Sequence, residues 1–322
     1  MLAPSLRSRA VSHRFGLVLA GGSGKRLESL TTDANGRAVP KQYRSLLGRR
    51  SLLGDALARA ERLVTRSHIV TVVAAQHEPF WRRELADRTT ENVVVQPRNR
   101  GTAAGVLLPL LAIAARDPAA VVTLLPSDHF VADEESLIAA LRRAQAAAAR
   151  LPTKVLLVGV QPDGPEADYG WILPGTAGGP VRPVRSFHEK PPAAAAAVLL
   201  RAGALWNSFL VVATARALIR LFRMRLPDLL DPLRAVLAHH DPALTQRFYD
   251  AVTEHDFCRH VLEGAETDLG LCVAPSCGWT DLGTPHRVAT CLATLGVDRA
   301  NLAPDSLAAA ALATVPADAP AP

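Results

Sequence analysis

Leu17-Val18-Leu19-Ala20-Gly21-Gly22-Ser23-Gly24-Lys25-Arg26-Leu27 is the stretch on which the reading of this chain turns. An apolar run feeds a glycine-rich turn, and the turn delivers two adjacent cations. Glycine permits a tight turn and leaves main-chain N–H groups bare, and such groups beside fixed cations hold polyphosphate. The spacing differs from two commoner phosphate loops. Leu27 stands where a dinucleotide G-x-G-x-x-G needs its last glycine, and Arg26 stands where a Walker loop needs Ser or Thr. Ala20, Gly21, Gly22, Ser23, Gly24 and Lys25 are therefore candidates for holding a nucleotide, although the same glycines alone also suit an ordinary strand-to-helix turn.

Downstream, Pro40-Lys41-Gln42-Tyr43 adds a third cation. Lysine occurs only at 25, 41, 154 and 190 in a chain with 36 Lys+Arg residues, so three of the four lysines fall in candidate phosphate-binding segments. An ammonium is a compact point charge and a guanidinium a planar fork, so the two are not equivalent at a crowded triphosphate. Chance placement is the competing explanation.

Outward from the loop, apolar runs at 15–20, 68–75, 92–96, 121–125 and 155–160 alternate with amphipathic stretches at 52–64, 78–86, 102–116 and 134–150. That rhythm predicts an α/β fold: a mostly parallel sheet with helices on both faces. From 169 the pattern changes. Strands at 169–173, 181–188 and 205–213 predict an inserted, partly antiparallel layer. Helices at 215–222, 229–239 and 243–252, a strand at 269–274 and a helix at 285–295 follow. The expected organisation is a flexible extension over 1–13, one globular domain over 14–299, and a disordered Ala/Pro-rich tail over 300–322.

Composition narrows the class. Hydrophobic content of 49% with 20% charge fits a globular chain rather than a disordered one. The net charge of +6 is spread without an aromatic-interleaved basic stripe, so nucleic acid is not expected as a partner. No apolar run approaches the roughly 20 residues of a membrane span. The run at 15–20 is shorter than the roughly 7–15 residues of a signal-peptide core. A cytoplasmic protein is expected, with Cys258, Cys272, Cys277 and Cys291 as packed, reduced thiols. A homo-oligomer is left open.

Four further segments carry chemistry. Val121 to Leu125 leads through Pro126 and Ser127 to Asp128, placing a carboxylate at the carboxyl end of a strand, where ligands sit in open α/β sheets. Capping of the next helix is the alternative. Gly278-Trp279-Thr280-Asp281-Leu282-Gly283 offers a second carboxylate, and two hard oxygen donors suit Mg²⁺ shared with substrate phosphates. Phe187-His188-Glu189-Lys190-Pro191 sets an acid that can accept from sugar hydroxyls beside a lysine that can hold a phosphate; an exposed ion pair fits equally well. Tyr169-Gly170-Trp171 and Trp206-Asn207-Ser208 supply aromatic walls, a close-approach glycine and an amide, all compatible with a sugar or with core packing. Gln96 to Thr102 leaves a strand and opens a helix, so Gly101 and Thr102 stand at a helix N-terminus open to an anion or a base.

In this order, these segments resemble the sugar-1-phosphate nucleotidyltransferase family, and most closely its mannose-1-phosphate guanylyltransferase branch, over roughly residues 15–295. The resemblance implies a Rossmann-like nucleotide-binding core with an inserted, partly antiparallel sugar-binding layer. It also implies nucleotidyl transfer from GTP to mannose-1-phosphate, with Mg²⁺ as cofactor and GDP-mannose and pyrophosphate as products. It implies that Arg26 and Lys41 stabilise the triphosphate, that Asp128 and Asp281 hold Mg²⁺, and that Gln96 and Thr102 lie beside the base. Glu189 would take sugar hydroxyls, Lys190 the sugar phosphate, and Gly170 and Asn207 would line the sugar site. Two positions depart from the family pattern: Lys25 stands where Thr is usual, and Phe209 follows Trp-Asn-Ser where Gly is usual. The same chemistry on another sugar, or a silent sugar-nucleotide-binding regulator, are the alternatives.

Overall fold

A computed structural model describes residues 13–33, 35–176, 178–296 and 306–314. The opening apolar run is strand β1 (Arg14–Ala20). It is followed by α1 (Glu28–Thr31), α2 (Leu52–Glu61), β2 (Ile69–Ala74), α3 (Glu78–Glu84), β3 (Val93–Gln96), α4 (Gly101–Arg116), β4 (Val121–Pro126), α5 (Glu134–Arg150) and β5 (Val155–Val160). Every residue of β2, β4 and β5 is buried, as expected of strands covered on both faces. β3, β2, β1 and β4 lie side by side in that order, all parallel.

The second half contains β6 (Gly170–Pro174), β7 (Arg182–Glu189), α6 (Ala193–Arg201), β8 (Leu205–Thr214), α7 (Ala215–Arg225), α8 (Pro227–Ala238), α9 (Pro242–Ala251), β9 (Leu269–Val273), α10 (Pro285–Thr294) and α11 (Leu307–Thr314). Here two expectations are corrected. Among the described residues there is no separate layer: β8 inserts between β4 and β5, antiparallel to both, and β9, β7 and β6 continue the same sheet to nine strands. Four pairings are parallel and five antiparallel, so the sheet is mixed rather than mostly parallel. Periodicity marks a segment as a strand but says nothing of which neighbour it will pair with or in which direction.

The sheet divides the core. Leu107 and Leu110 of α4 pack with Leu218 and Phe222 of α7 on one side. Leu53 and Leu57 of α2 join Leu137 and Leu141 of α5 on the other. A third, smaller cluster contains Leu27, Leu30, Leu282, Leu292 and Leu307.

The termini also depart from expectation. Residues 1–12 lie outside the described residues, yet the His13 carbonyl already accepts from Val121 N at 2.6 Å, so the order of the sheet reaches it. The expected tail is corrected over 306–314: α11 is helical, with Leu307, Ala308 and Ala311 buried. Alanine is the strongest helix former, but an Ala/Leu segment has no polar face to reveal a period. The rest of 300–322 lies outside the described residues. The unanticipated α6, Ala-rich and without a side-chain cap, was hidden for the same reason.

Candidate active site

β1 and β4 end side by side, and Ser127 fastens them: its N–H and hydroxyl both donate to the Leu19 carbonyl, at 3.1 and 2.6 Å. The glycine loop leaves β1 here, and Asp128 leaves β4. Gln42 Nε2 donates to the carbonyls of Ala20 (3.0 Å) and Gly22 (2.8 Å), and the Tyr43 hydroxyl also donates to Ala20. The loop is thus braced by the segment carrying Lys41. Gly24 is in the left-handed region at φ +65°, and a Cβ there would come within 2.9 Å of Lys41 N.

Asp128 does not cap a helix. α5 begins at Glu134, and its cap is the side chain of Asp133, which accepts from Ser136 N at 3.0 Å. Asp128 is instead drawn towards Asp281 by a two-residue bridge: Phe130 N donates to Thr280 O at 2.9 Å, and Thr280 N returns a bond of 3.0 Å. Between the two acidic residues lies the Lys41 ammonium, 3.0 Å from Asp128 Oδ2 and donating to the main-chain carbonyls of Asp281 and Leu282. Asp281 Oδ1 accepts from the Tyr169 hydroxyl and from Gly283 N, each at 2.8 Å, and Arg287 reaches both carboxylate oxygens. Arg26 lies 3.7 Å from Asp281 Oδ2 and 3.5 Å from Asp168. Burial is the largest single effect and opposes ionisation of both carboxyls. Lys41 and His129 at Asp128, and Lys41, His129, Arg287 and the Tyr169 hydroxyl at Asp281, together outweigh it, and both pKa values fall below the usual carboxylate range. Two ionised carboxylates therefore line one cleft of about 290 Å³.

The far end of that cleft is built by β6, β7 and β8. Gly170 pairs with Glu189, and a Cβ at 170 would lie 2.6 Å from Glu189 Oε2, so only glycine leaves the carboxyl its place. Burial, with repulsion from Asp256, raises the Glu189 pKa to about 7, and Oε2 has no hydrogen-bond partner among the described residues. Lys190 Nζ lies 3.5 Å from Oε1. On β8 the pairing with β5 slips between Leu157 and Gly159, and within that irregularity Phe209 takes a left-handed φ of 59°. The slip turns Asn207 and Phe209 into the cleft, where Asn207 Nδ2 meets Cys258 Sγ at 3.3 Å. Glu189, Asp256 and Cys258 bring possible ligand atoms within 4.8 Å of one another. Asp256 is already engaged by Thr102 and Arg259, and burial keeps the Cys258 thiol protonated. The trio reads as a polar wall rather than a metal centre.

Gln96 closes the end near α4. It is buried, it lines the cleft, and its Nε2 has no partner among the described residues. Gly21 and Gly105 flank it; a Cβ on Gly21 would meet Gln96 Oε1 at 2.9 Å.

Of the residues singled out from sequence, the cleft gathers Gly21, Gly22, Gly24, Arg26, Gln96, Gly101, Thr102, Asp128, Gly170, Glu189, Lys190, Asn207 and Asp281. Others fall elsewhere. Lys41 is 4% exposed and sits behind the carboxylates rather than among the lining residues. Ala20 is buried in the core, Ser23 faces a second hollow beside Arg37 and Phe80, and the Lys25 side chain lies outside the described residues. The N-terminus of α4 is not an open anion site: Gly101 N donates to Asn99 Oδ1, Ala103 N to His255 O, and the Thr102 hydroxyl bonds with Asp256 and Phe257 N. Trp171 and Trp206 are core residues, so Tyr169 and Trp279 form the aromatic wall. Sequence reasoning missed the roles of Gln42 and Arg287; no local motif marks an arginine on α10 as the partner of Asp281. The four cysteines are free thiols, and no helix among the described residues is long and apolar enough to cross a membrane.

A glycine loop at a strand end, facing paired carboxylates and a buried ammonium, defines an α/β protein whose cleft has the chemistry to hold a phosphate-bearing ligand. The chain belongs to the nucleotidyl transferase family, whose model matches residues 15–295. It is 29% identical over 290 residues to the mannose-1-phosphate guanylyltransferase of Escherichia coli K12, an alignment covering 85% of this chain and 59% of that protein. It is 32% identical over 231 residues to the protein of that name from Sinorhizobium fredii, covering 68% and 43%. The chain thus spans about half the length of the curated relatives it matches. Among solved structures, the mannose-1-phosphate geranyltransferase from Thermus thermophilus superposes with a TM-score of 0.76 at 28% identity, covering 89% of this chain and 80% of that one. The resemblance read from the motifs is borne out at the level of the family.

Proposed function

We propose that this protein transfers a guanylyl group from GTP to mannose-1-phosphate, giving GDP-mannose and pyrophosphate. A phosphate oxygen of the sugar phosphate attacks the α-phosphorus, a new P–O bond forms, and the bond to the β-phosphate oxygen breaks as pyrophosphate leaves. The observation that carries this reading is the convergence of Asp128 and Asp281 on Lys41 at the mouth of the glycine loop. In such transfers positioning and charge neutralisation do most of the catalysis, and no protein nucleophile is required.

Asp128 and Asp281 present hard, ionised oxygens and would hold Mg²⁺, which supplies neutralisation of the triphosphate charge. Arg26, more than half exposed in the cleft, is free to turn to the departing phosphates. Lys41 pairs with the Asp128 carboxylate and holds the main chain at Asp281 and Leu282. Glu189 and Asn207 would take sugar hydroxyls, and Lys190 the sugar phosphate. Gln96 offers its amide to the base. The choice of GTP rests on the names of the relatives, since an amide alone pairs with any base edge.

The test is pyrophosphate release with Mg²⁺, mannose-1-phosphate and each nucleoside triphosphate in turn. Release fastest with GTP is expected; equal or absent turnover with GTP rejects the assignment. Phe209 favours one second reading, the same transfer to another sugar-1-phosphate, which a panel of sugar phosphates separates. The site is read as that of a protein working in the cytoplasm, without nucleic acid or membrane as partner.

A further inference from the structure

We infer that α11 is a positioning element for the reacting end of the cleft, acting through Leu307. This rests on the transfer reading above, but its structural arm does not. Three loops carry Arg26, Lys41 and Asp281, and each contributes a neighbouring residue to the same buried cluster. Leu27 follows Arg26, Leu46 lies just beyond the Lys41–Tyr43 turn, and Leu282 follows Asp281; all three join Leu307 in that cluster. Leu307 is fully buried, and α11 packs on α1 and α10.

Two main-chain bonds make the attachment directional. Leu307 N donates to Ser45 O at 2.9 Å, and Ala308 N to Leu46 O at 3.1 Å. The first turn of α11, whose N–H groups have no partner within the helix, is thereby tied to the segment behind Lys41.

Leu282 shows what the cluster holds in place. It sits in the left-handed region at φ 48°, a conformation that L-residues rarely adopt, and it is fully buried. Such strain persists only where the surroundings over-determine the residue. Its carbonyl and that of Asp281 both accept from Lys41 Nζ, so the strained turn is the one that aligns the acidic pair with the ammonium. The sugar end, built on β6, β7 and β8, contributes nothing to this cluster.

The experiment compares wild type, Leu307→Ala, the volume-conserving Leu307→Met and a chain stopped after residue 305. Steady-state kinetics, the Mg²⁺ concentration for half-maximal rate and amide hydrogen exchange are read on each. For Leu307→Ala and the shortened chain, kcat is expected to fall at least about tenfold and more Mg²⁺ to be required, with KM for the sugar phosphate within about twofold. Exchange is expected to rise in residues 24–30 and 278–284 while β1 and β4 stay protected, and Leu307→Met to restore the wild-type values. Unchanged kcat and exchange in Leu307→Ala overturn the inference, as does exchange rising equally across the sheet. If wild type turns over none of the triphosphates, the transfer reading fails while the exchange arm still decides the role of α11.

Discussion

Phe130 and Thr280 exchange two main-chain hydrogen bonds, 2.9 and 3.0 Å long, and so bring the loops of Asp128 and Asp281 to one place. Neither side chain reacts. The bridge acts as a one-rung ladder between the end of β4 and the turn before α10, and it holds the two loops that carry the carboxylates side by side. With Lys41 inserted behind them, the acidic pair is ionised and aimed into the cleft rather than repelled outwards.

Asp128→Asn keeps the shape of the side chain and removes its charge. A fall in kcat of about 10²–10³ is expected, the loss typical of one preorganised charge-stabilising group. Lys41 keeps its two carbonyl partners but its buried ammonium loses the carboxylate it faces, so the melting temperature should fall as well. Pyrophosphate release and a melting curve check both halves.

Lys41→Arg conserves charge and should still fail. The lysine is 4% exposed with its ammonium already surrounded, and a planar fork needs more room than the site offers. Overpacking of this kind costs typically about 1–3 kcal/mol, so a lowered denaturation midpoint should accompany lost turnover. Full activity would show that the ammonium geometry does not matter.

Gly24→Ala asks for a Cβ at φ +65°, within 2.9 Å of Lys41 N. The left-handed conformation alone costs roughly 1–2 kcal/mol. Urea unfolding should show at least that loss, and KM for the nucleotide should rise because the loop can no longer rest on the Lys41 segment.

Glu189 sets a pH dependence. Its proton is held up to about pH 7 in the folded protein against 4.5 for an ordinary glutamate, through burial and the facing Asp256, with Lys190 and Arg259 opposing. The folded state therefore binds the proton more tightly than the unfolded chain. This stabilising contribution is complete below about 4.5 and is lost as pH rises through about 7. Glu189→Gln should abolish that loss in melts taken across the window. Ionised Glu189 is the better acceptor for sugar hydroxyls, so KM for the sugar phosphate should fall through the same pH range in wild type and not in the variant.

Phe209→Gly removes a ring from the cleft at a left-handed position that glycine adopts without cost. The variant should accept a wider range of sugar-1-phosphates than wild type, read as a smaller spread of kcat/KM across a panel. An unchanged spread would remove Phe209 from sugar selection.

By itself the sequence determined the local chemistry: the apolar run into three glycines, the carboxylate after β4, the Glu-Lys pair at the end of β7, and the alternation that makes the first four strands parallel. Each is written in contiguous residues, whose spacing and φ preferences are local properties. Only the tertiary structure decided that β8 enters beside β4, that Lys41 is buried behind the acidic pair, that Thr102 is spent on the 256–257 turn, and that Arg287 and α11 support Asp281. Those outcomes depend on pairings between segments far apart in the chain, where burial and hydrogen-bond satisfaction choose partners that no local pattern names.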